Sequence, residues 1–186
     1  NDSDKYRKDL LMERNYKKGE EGCYLNRLDL DKDFEPELPA GYKFRSMDEE
    51  ISFVKRYNVL NKSFHPEDDF IEDVPDSFMK MVQAPMYRPE LDLIIEDENG
   101  NFASSCVIWF DEENEIGMFE PVGTHPDYTR KGLGKQLIIE GLRRLKNIGA
   151  KQAYVESYGV NRYKFYKKTG FKSYDIDYPW IKIFAK

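Results

Sequence analysis

Hydrophobic and polar positions follow two different periods along the chain, and these periods predict a mixture of helices and strands. Apolar residues recur every three or four positions in 48–64 and in 133–148, which is typical of amphipathic helices. Between them lie three runs rich in β-branched, aromatic and other apolar residues, which predict consecutive strands at 91–97, 102–110 and 116–124.

Local signals refine the ends of these elements. Asp48 is the candidate N-cap of the first helix, and Gly149 is the candidate C-cap of the second. The pair Asn99-Gly100 predicts a tight hairpin between the first two strands, because both residue types tolerate positive φ. Pro121 removes one backbone donor from the third strand, so we expect a bulge or an unpaired stretch there.

The C-terminal part of the chain repeats the alternation of strand and helix. We expect a strand at 151–159, a short helix N-capped by Asn161 and closed at Gly170, and two final strands separated by Pro179. Strands that pair locally, followed by a strand–helix–strand unit, predict an α/β or α+β mixed sheet with helices on both faces.

Composition excludes several classes of protein. The 186 residues are enough for one α/β domain, and the formal net charge of −6 argues against a general nucleic-acid surface. No run approaches about 18 apolar residues, so we expect neither a transmembrane helix nor membrane association. The two cysteines show no metal-ligand spacing, so we expect no metal site and a reducing, cytoplasmic setting.

The stretch that leads into the second amphipathic helix carries the main functional signal. Gly132 and Gly134 stand at the predicted start of that helix, and Arg130, Lys131 and Lys135 stand beside them. The first N–H groups of a helix have no internal partner and point along a positive dipole end. Glycines let ligand oxygens approach the backbone closely, so this stretch predicts a phosphate or diphosphate cradle.

Two familiar phosphate motifs do not fit this stretch. In a P-loop, Lys135 would be followed by Ser or Thr, but Gln136 stands there, and Thr129 occupies the place of the first glycine. In a dinucleotide-binding fingerprint a third glycine would stand where Leu137 is found.

The same residues resemble the GNAT superfamily of N-acetyltransferases. Its acyl-CoA motif is Gln/Arg-x-x-Gly-x-Gly/Ala, and 129–134 match it with Thr129 in place of Gln or Arg. The segment Phe165–Phe171, FYKKTGF, resembles the family's second hallmark. The resemblance covers about 39–186. It implies the GNAT fold, with a mostly antiparallel, twisted sheet splayed at the cofactor site, and acetyl-CoA as co-substrate.

The resemblance also implies roles for individual residues. Tyr166 would protonate the leaving thiolate, and Glu120 is the candidate general base, with Glu156 as its competitor. A backbone N–H near Val122 would stabilise the oxyanion, and Asn161 would contact the pantetheine arm or else cap its helix. The remaining candidate coenzyme contacts follow the third middle strand into the cradle: Thr124, Thr129, Arg130, Lys131, Gly132, Leu133, Gly134 and Lys135.

These roles predict a cytoplasmic enzyme that transfers an acetyl group to a primary amine by direct attack in a ternary complex. The acceptor is a small molecule or a peptide. The acidic segment 67–73 either attracts a cationic acceptor or is an ordinary solvated turn. The alternative is a non-catalytic module that binds acyl-CoA or a partner. The resemblance also leaves open a homodimer through the final strands.

An internal similarity bears on domain organisation. Residues 11–30 resemble 166–185: each reads as a helix end, a residue that tolerates positive φ, an aromatic residue and two short strands. Residue 1 is Asn rather than Met. We therefore expect 1–38 to be an N-terminal extension, either a packed appendage or the tail of a preceding GNAT-like domain, and 39–186 to be the acetyltransferase domain.

Overall fold

The computed structural model describes residues 3–49 and 51–184. These residues form two compact units. The central unit is Asp29–Ala153, and the terminal unit combines the described parts of Asn1–Leu28 and Tyr154–Lys186. Both contain helices and antiparallel strand pairs, so the predicted mixed α/β class is confirmed.

Five helices and nine strands follow one another along the described chain. In order they are α1 (Lys5–Glu13), β1 (Lys17–Lys18), β2 (Cys23–Asp29), β3 (Tyr42–Ser46), α2 (Phe53–Phe64), α3 (Asp76–Val82), β4 (Asp92–Asp97), β5 (Phe102–Asp111), β6 (Ile116–Thr124), α4 (Leu133–Asn147), β7 (Gln152–Tyr158), α5 (Gly159–Lys167), β8 (Lys172–Asp177) and β9 (Trp180–Ile181).

The central unit is built on four antiparallel strands in the order β3-β4-β5-β6. Four consecutive residues of β4 and seven of β5 are buried, which is expected of strands that are covered on both faces. α4 packs on one face, where a Cβ on Gly141 would collide with Phe119. α2 packs on the other, where a Cβ on Gly123 would collide with Ser63. The predicted helices on both faces are therefore confirmed for this unit.

α4 forms because its apolar residues recur at helical spacing. Leu133, Leu137, Ile138, Leu142 and Leu145 are all buried, and the basic residues of the last turn lie at the negative end of the helix dipole. The C-cap is Ile148 rather than the predicted Gly149, which follows it in left-handed backbone with φ 96° and closes the helix.

α2 begins four residues later than its predicted cap implies, so the prediction of Asp48 as its N-cap is wrong. The cap is Ser52, whose hydroxyl accepts a hydrogen bond from the Lys55 N–H at 3.3 Å. Asp48 lies instead in the turn after β3, where the Glu49 carboxylate accepts from the Ser46 N–H at 3.0 Å. That side-chain bond closes the turn before a helix can start.

The predicted hairpin between β4 and β5 is confirmed. Gly100 has φ 77° and donates to the Asp97 carbonyl at 3.0 Å. The Asp97 carboxylate also accepts from the backbone N–H groups of Asn99 and Asn101, at 2.9 and 2.8 Å. The Asp97 side chain therefore stabilises the turn that the following residues form.

The terminal unit has a strand order of β7-β2-β8 and a separate two-stranded sheet, β1-β9. Asn26 of β2 is buried and connects the strands, since its amide donates to the Val155 carbonyl and to the Ser157 hydroxyl, both at 3.0 Å. Phe171 is also fully buried in this unit. The predicted helix closure at Gly170 is confirmed by its φ of 106° and by its N–H, which donates to Lys167.

Candidate functional site

A β-bulge interrupts β6 where the sequence predicts one. Cys106 of β5 pairs with Val122, whereas Ile108 pairs with Phe119, so Glu120 and Pro121 together oppose a single residue of β5. The missing N–H of Pro121 explains why regular pairing fails there. Bulges of this kind bend a strand and redirect the residues that follow.

The bulge exchanges the faces on which β6 residues lie. Gly117 faces α4, because a Cβ there would collide with Leu145, and Gly123 faces α2, because a Cβ there would collide with Ser63. These glycines are an even number of residues apart and would share a face in a regular strand. The extra residue of the bulge inverts this alternation for Val122 and the residues after it.

Glu120 lies exposed at the bulge. Its backbone carbonyl accepts a hydrogen bond from the Trp109 indole N–H at 2.8 Å. This bond holds the backbone of the bulge while leaving the carboxylate directed away from the core. Val122 and Thr124 follow on the same strand, and the Thr124 hydroxyl lies 2.9 Å from that of Ser104.

A single 3-10 turn, Pro126–Tyr128, connects β6 to the glycine-rich stretch. The imidazole Nδ1 of His125 accepts from the Asp127 N–H at 3.3 Å and caps the turn. The Thr129 hydroxyl donates to the Pro126 carbonyl at 2.9 Å and closes it. Thr129, which departs from the family motif, therefore has a structural contact in the turn.

The start of α4 has the backbone shape of an anion-binding concavity. Arg130 and Gly132 both adopt left-handed conformations, with φ of 65° and 81°. Left-handed residues near a helix start turn successive N–H groups toward a common point. Gly132 is the N-cap, no side chain caps the helix, and a Cβ on Gly132 would meet nothing within 4 Å.

Two of the basic residues flank this concavity, and the third is engaged elsewhere. Arg130 and Lys135 are exposed beside the helix start, where Leu133 is buried beneath them. The Lys131 ammonium instead lies 3.3 Å from the Tyr42 hydroxyl and 4.8 Å from the centroid of the Tyr128 ring. The concavity is thus electropositive through Arg130, Lys135 and the helix dipole, with Lys131 at its border.

Tyr128 joins the turn to the β4–β5 hairpin, a contact that the sequence pattern did not reveal. Its hydroxyl donates to the Asp97 carboxylate at 2.7 Å. Burial acts to raise the pKa of Asp97, but the hydrogen bonds from Tyr128, Asn101 and Asn99 outweigh it and lower that pKa to about 2. Burial and the Asp97 carboxylate raise the pKa of Tyr128 to about 12.

Tyr128 also lines two cavities of the central unit. One has a volume of about 480 Å³ and is lined in part by Lys55 and Lys62 of α2 and by Phe70 of the acidic segment. The other, of about 440 Å³, lies against Tyr42 and Lys131. The acidic segment is anchored to α2, since the Asn58 side chain bonds both the N–H and the carbonyl of Ile71, at 2.9 and 2.8 Å.

Tyr166 is buried within the terminal unit. Its ring makes edge contacts with Phe165 and Phe171, with centroids 5.0 and 6.1 Å apart. Its carbonyl accepts from the backbone N–H groups of Thr169 and Phe171, at 3.0 and 3.3 Å. The FYKKTGF segment therefore fixes this tyrosine through both its ring and its backbone.

The prediction that Asn161 N-caps α5 is wrong. The helix begins at Gly159 with Tyr158 as its cap, so Asn161 lies exposed in the first turn. Gly159 adopts φ 74° directly after β7, which lets the chain enter the helix three residues earlier than the predicted cap implies. Glu156, the competing base, accepts a hydrogen bond from the Cys23 thiol at 3.7 Å.

Among residues 3–49 and 51–184, no group of three or more His, Cys, Asp or Glu side chains could hold a metal ion. Within the same residues, every helix is too short or too polar to cross a membrane.

The comparison with protein families agrees with this geometry. The model of the Acetyltransferase (GNAT) family matches residues 55–171, which is more than half of the chain and includes β6, the turn and α4. The chain therefore belongs to the GNAT acetyltransferase family. A search of curated proteins finds no match.

Solved structures share the fold at low sequence identity. A tandem GNAT protein from the clavulanic acid biosynthesis pathway aligns with a TM-score of 0.75 and 15% identity over 95% of this chain and 58% of its own. A GCN5-related N-acetyltransferase from Sphaerobacter thermophilus aligns with a TM-score of 0.73 and 17% identity, over 94% of this chain and 54% of its own. The ribosomal-protein-S18-alanine N-acetyltransferase from Escherichia coli aligns with a TM-score of 0.54 and 17% identity, over 70% of this chain and 77% of its own. The chain thus spans little more than half the length of the first two.

Proposed function

We propose that this protein is an acyl-CoA-dependent N-acetyltransferase that transfers the acetyl group of acetyl-CoA to a primary amine. The observation that carries the proposal is the start of α4, where two left-handed residues precede a helix that no side chain caps. Membership of the GNAT family supports the choice of acetyl-CoA over other diphosphate ligands.

The coenzyme diphosphate would be held mainly by backbone. The N–H groups of Leu133, Gly134 and Lys135 belong to the first turn of α4 and have no intrahelical acceptors. Gly132 and Gly134 present no Cβ to the phosphate oxygens, so these oxygens can reach hydrogen-bond distance.

Side chains would add to this backbone site in different ways. Arg130 and Lys135 would neutralise phosphate charge, and Lys131 would contact the coenzyme at the border of the concavity. Thr129 would contribute by holding the turn in shape, because its N–H and its hydroxyl both donate to the Pro126 carbonyl, at 3.2 and 2.9 Å. Val122 and Thr124 would flank the acyl end of the coenzyme, and Asn161 remains a proposed contact of the pantetheine arm.

The reaction requires a neutral amine. An ordinary lysine-like amine has a pKa of about 10.4 and is almost fully protonated at pH 7, so a base must remove a proton. We assign this role to Glu120, whose carboxylate is exposed at a bulge that Trp109 stabilises. The exposed acidic segment of 67–73 would favour the approach of a cationic acceptor to the central unit.

In the proposed reaction, Glu120 first takes one proton from the ammonium form of the acceptor and passes it to solvent. The neutral amine nitrogen then attacks the thioester carbonyl carbon and gives its second proton to Glu120 as the carbon–nitrogen bond forms. The carbonyl oxygen becomes an oxyanion, which the Val122 N–H would stabilise. The carbon–sulfur bond then breaks, and the Tyr166 hydroxyl gives its proton to the departing thiolate. Solvent restores the tyrosine proton, so the products are the amide and free CoA.

The decisive experiment measures thiol release from acetyl-CoA with a panel of polyamines, amino acids, peptides and aminoglycosides. We expect amine-dependent release, with intersecting double-reciprocal plots because both substrates must be bound together. Parallel plots would contradict direct transfer. Calorimetric binding of acetyl-CoA without release for any amine would favour the non-catalytic module instead.

The role of Tyr166 is tested by Tyr166→Phe, which keeps the ring and its contacts with Phe165 and Phe171. We expect kcat to fall about 10²-fold, as for loss of a general acid, with KM for acetyl-CoA changed less than about twofold. Tyr174→Phe is the matched control, since Tyr174 is 55% exposed in the same unit. A Tyr166→Phe enzyme with unchanged kcat would remove this residue from the mechanism.

A further inference from the structure

The C-terminal ends of α1 and α5 share one hydrogen-bond pattern. Corresponding residues of the two ends are always separated by the same number of positions along the chain. Asn15 and Gly170 both adopt left-handed backbone, with φ of 61° and 106°. Asn15 N–H donates to Met12, as Gly170 N–H donates to Lys167. Tyr16 N–H donates to Leu11, as Phe171 N–H donates to Tyr166. The internal similarity seen in the sequence is therefore also a similarity of backbone structure.

The strands that follow these helices pair reciprocally. β1 pairs with β9, and β2 pairs with β8, both antiparallel. The sequence offset makes β1 equivalent to β8 and β2 equivalent to β9. Applied to both residues of the observed pair Lys17–Ile181, this offset predicts that Lys172 pairs with Asn26. The observed partner of Lys172 is Arg27, which is one residue from Asn26. The two pairings are thus related by an approximate two-fold exchange.

This exchange leaves one strand position empty. β2 lies between β8 and β7. Its equivalent, β9, has β1 on one side, and among the described residues it has no strand on the other. The apolar side chains at and after β9 are exposed: Ile181 by 55%, Ile183 by 90% and Phe184 by 73%.

α1 also lacks burial that its equivalent, α5, has. It buries none of its residues, and Leu11 is only partly covered, whereas the equivalent residue of α5, Tyr166, is buried. A surface helix normally covers an apolar face of its own domain. α1 is therefore less covered than its equivalent, although the backbone at the two helix ends is alike.

We propose that α1, β1 and β2 are the last elements of another GNAT-like domain, encoded N-terminal to Lys5 in the same polypeptide. In this arrangement the two domains exchange their final strands, and the open edge of β9 pairs with that domain's equivalent of β7. The proposal is independent of catalysis. The tandem protein fits it, since it aligns with 95% of this chain, whereas the Escherichia coli enzyme aligns with 70%.

A second copy of this chain is the less suitable occupant. In a dimer formed by exchange of final strands, the partner's β9 would lie between β7 and β8. β2 of the same chain already fills that place. The place between β7 and β8 is therefore filled from within this polypeptide. By the two-fold relation, the open edge of β9 would be filled from the same polypeptide.

Hydrogen exchange measured by mass spectrometry tests the proposal on the natural polypeptide and on the 186-residue chain. We expect residues 180–184 to exchange at least tenfold more slowly in the natural polypeptide, and its sequence before Lys5 to encode the remaining GNAT-like elements. Equal exchange, or no such preceding sequence, would overturn the proposal. Concentration-dependent protection in the 186-residue chain alone would assign the edge to a second copy and overturn it as well.

A pair of variants sharpens this test. Ile183→Lys should abolish the protection of 180–184 in the natural polypeptide, because a buried strand edge would not accept the added charge. Met86→Lys is the control, since Met86 is 55% exposed in the central unit and should leave the protection unchanged. Protection that survives Ile183→Lys would also contradict the proposal.

Discussion

The backbone N–H of Gln136 donates to the carbonyl of Gly132 at 3.2 Å, and this is the bond with which the helical ladder of α4 begins. The three N–H groups before Gln136 therefore point beyond the helix start, where an anion is stabilised by the dipole. The position of this bond, rather than any single side chain, defines the candidate diphosphate site.

The first prediction concerns Gly134→Ala. Alanine suits a helical position better than glycine, so the free energy of unfolding should stay equal or rise by up to about 1 kcal/mol. The added Cβ should hinder the coenzyme diphosphate, and we expect its Kd to rise at least tenfold. Urea unfolding and calorimetry with CoA measure the two quantities separately.

Gly149→Ala is the matched control at the other end of α4. Gly149 has φ 96°, and a Cβ there would meet nothing within 4 Å, so only backbone strain is added. We expect a loss of about 1 kcal/mol in stability and no change in Kd for CoA. Unchanged CoA affinity in Gly134→Ala would place the coenzyme elsewhere.

The second prediction concerns Glu120→Gln. If Glu120 removes the amine proton, kcat/KM at pH 7 should fall about 10²-fold. The deficit should shrink as pH approaches about 10.4, because an ordinary amine then loses its proton without a base. The measurement is the pH profile of kcat/KM, with Glu113→Gln in the exposed β5–β6 turn as control. A deficit that is constant with pH would assign Glu120 a structural role.

Much of this site could be predicted from sequence because its determinants are local. Pro121 specifies a bulge through its own missing N–H, Gly149 ends a helix through its own conformation, and apolar spacing defines the buried face of α4. Asp48 and Asn161 failed as caps because neighbouring residues decided the outcome: the Glu49 carboxylate closes one turn, and Gly159 starts the other helix early.

Contacts between distant residues lay beyond such reasoning. Trp109 donates to the Glu120 carbonyl from the neighbouring strand. Tyr128, in the turn after β6, donates to Asp97 in the β4–β5 hairpin. Nothing in either residue's local sequence distinguishes it from the other aromatic residues of the chain. These contacts depend on strand register, which the bulge shifts by one residue.

The third prediction concerns pH and Tyr128→Phe. The pKa of Asp97 is lowered in the folded state, so its contribution to stability is full above its ordinary pKa of about 3.9 and is lost as pH falls toward about 2. Removing the Tyr128 hydroxyl should therefore cost about 1 kcal/mol at pH 7 and progressively less between pH 4 and pH 2.

Urea unfolding across this pH range measures the effect of Tyr128→Phe. In an Asp97→Asn background the same substitution should have a smaller effect that does not vary with pH, because the titrating carboxylate is gone. A cost that stays constant down to pH 2 in the unmodified background would show that Tyr128 stabilises the turn without involving the charge of Asp97.

The fourth prediction concerns a buried ion pair beneath α2. Arg56 Nε lies 2.6 Å from the Asp92 carboxylate, and neither side chain has measurable exposure. The Tyr87 hydroxyl donates to the same carboxylate at 3.0 Å, and Arg56 donates to the Ser105 hydroxyl at 3.1 Å. Asp92→Asn would leave a buried guanidinium without its counter-charge and should cost about 3–5 kcal/mol.

A double-mutant cycle distinguishes this pair from its surroundings. Arg56→Met combined with Asp92→Asn removes both charges, so the double variant should be more stable than the sum of the single losses predicts. Glu112→Gln is the control, because Glu112 pairs with Arg88 at the surface and should cost less than about 1 kcal/mol. Urea unfolding gives all four values of the cycle, and additive losses would show that the two charges do not stabilise each other.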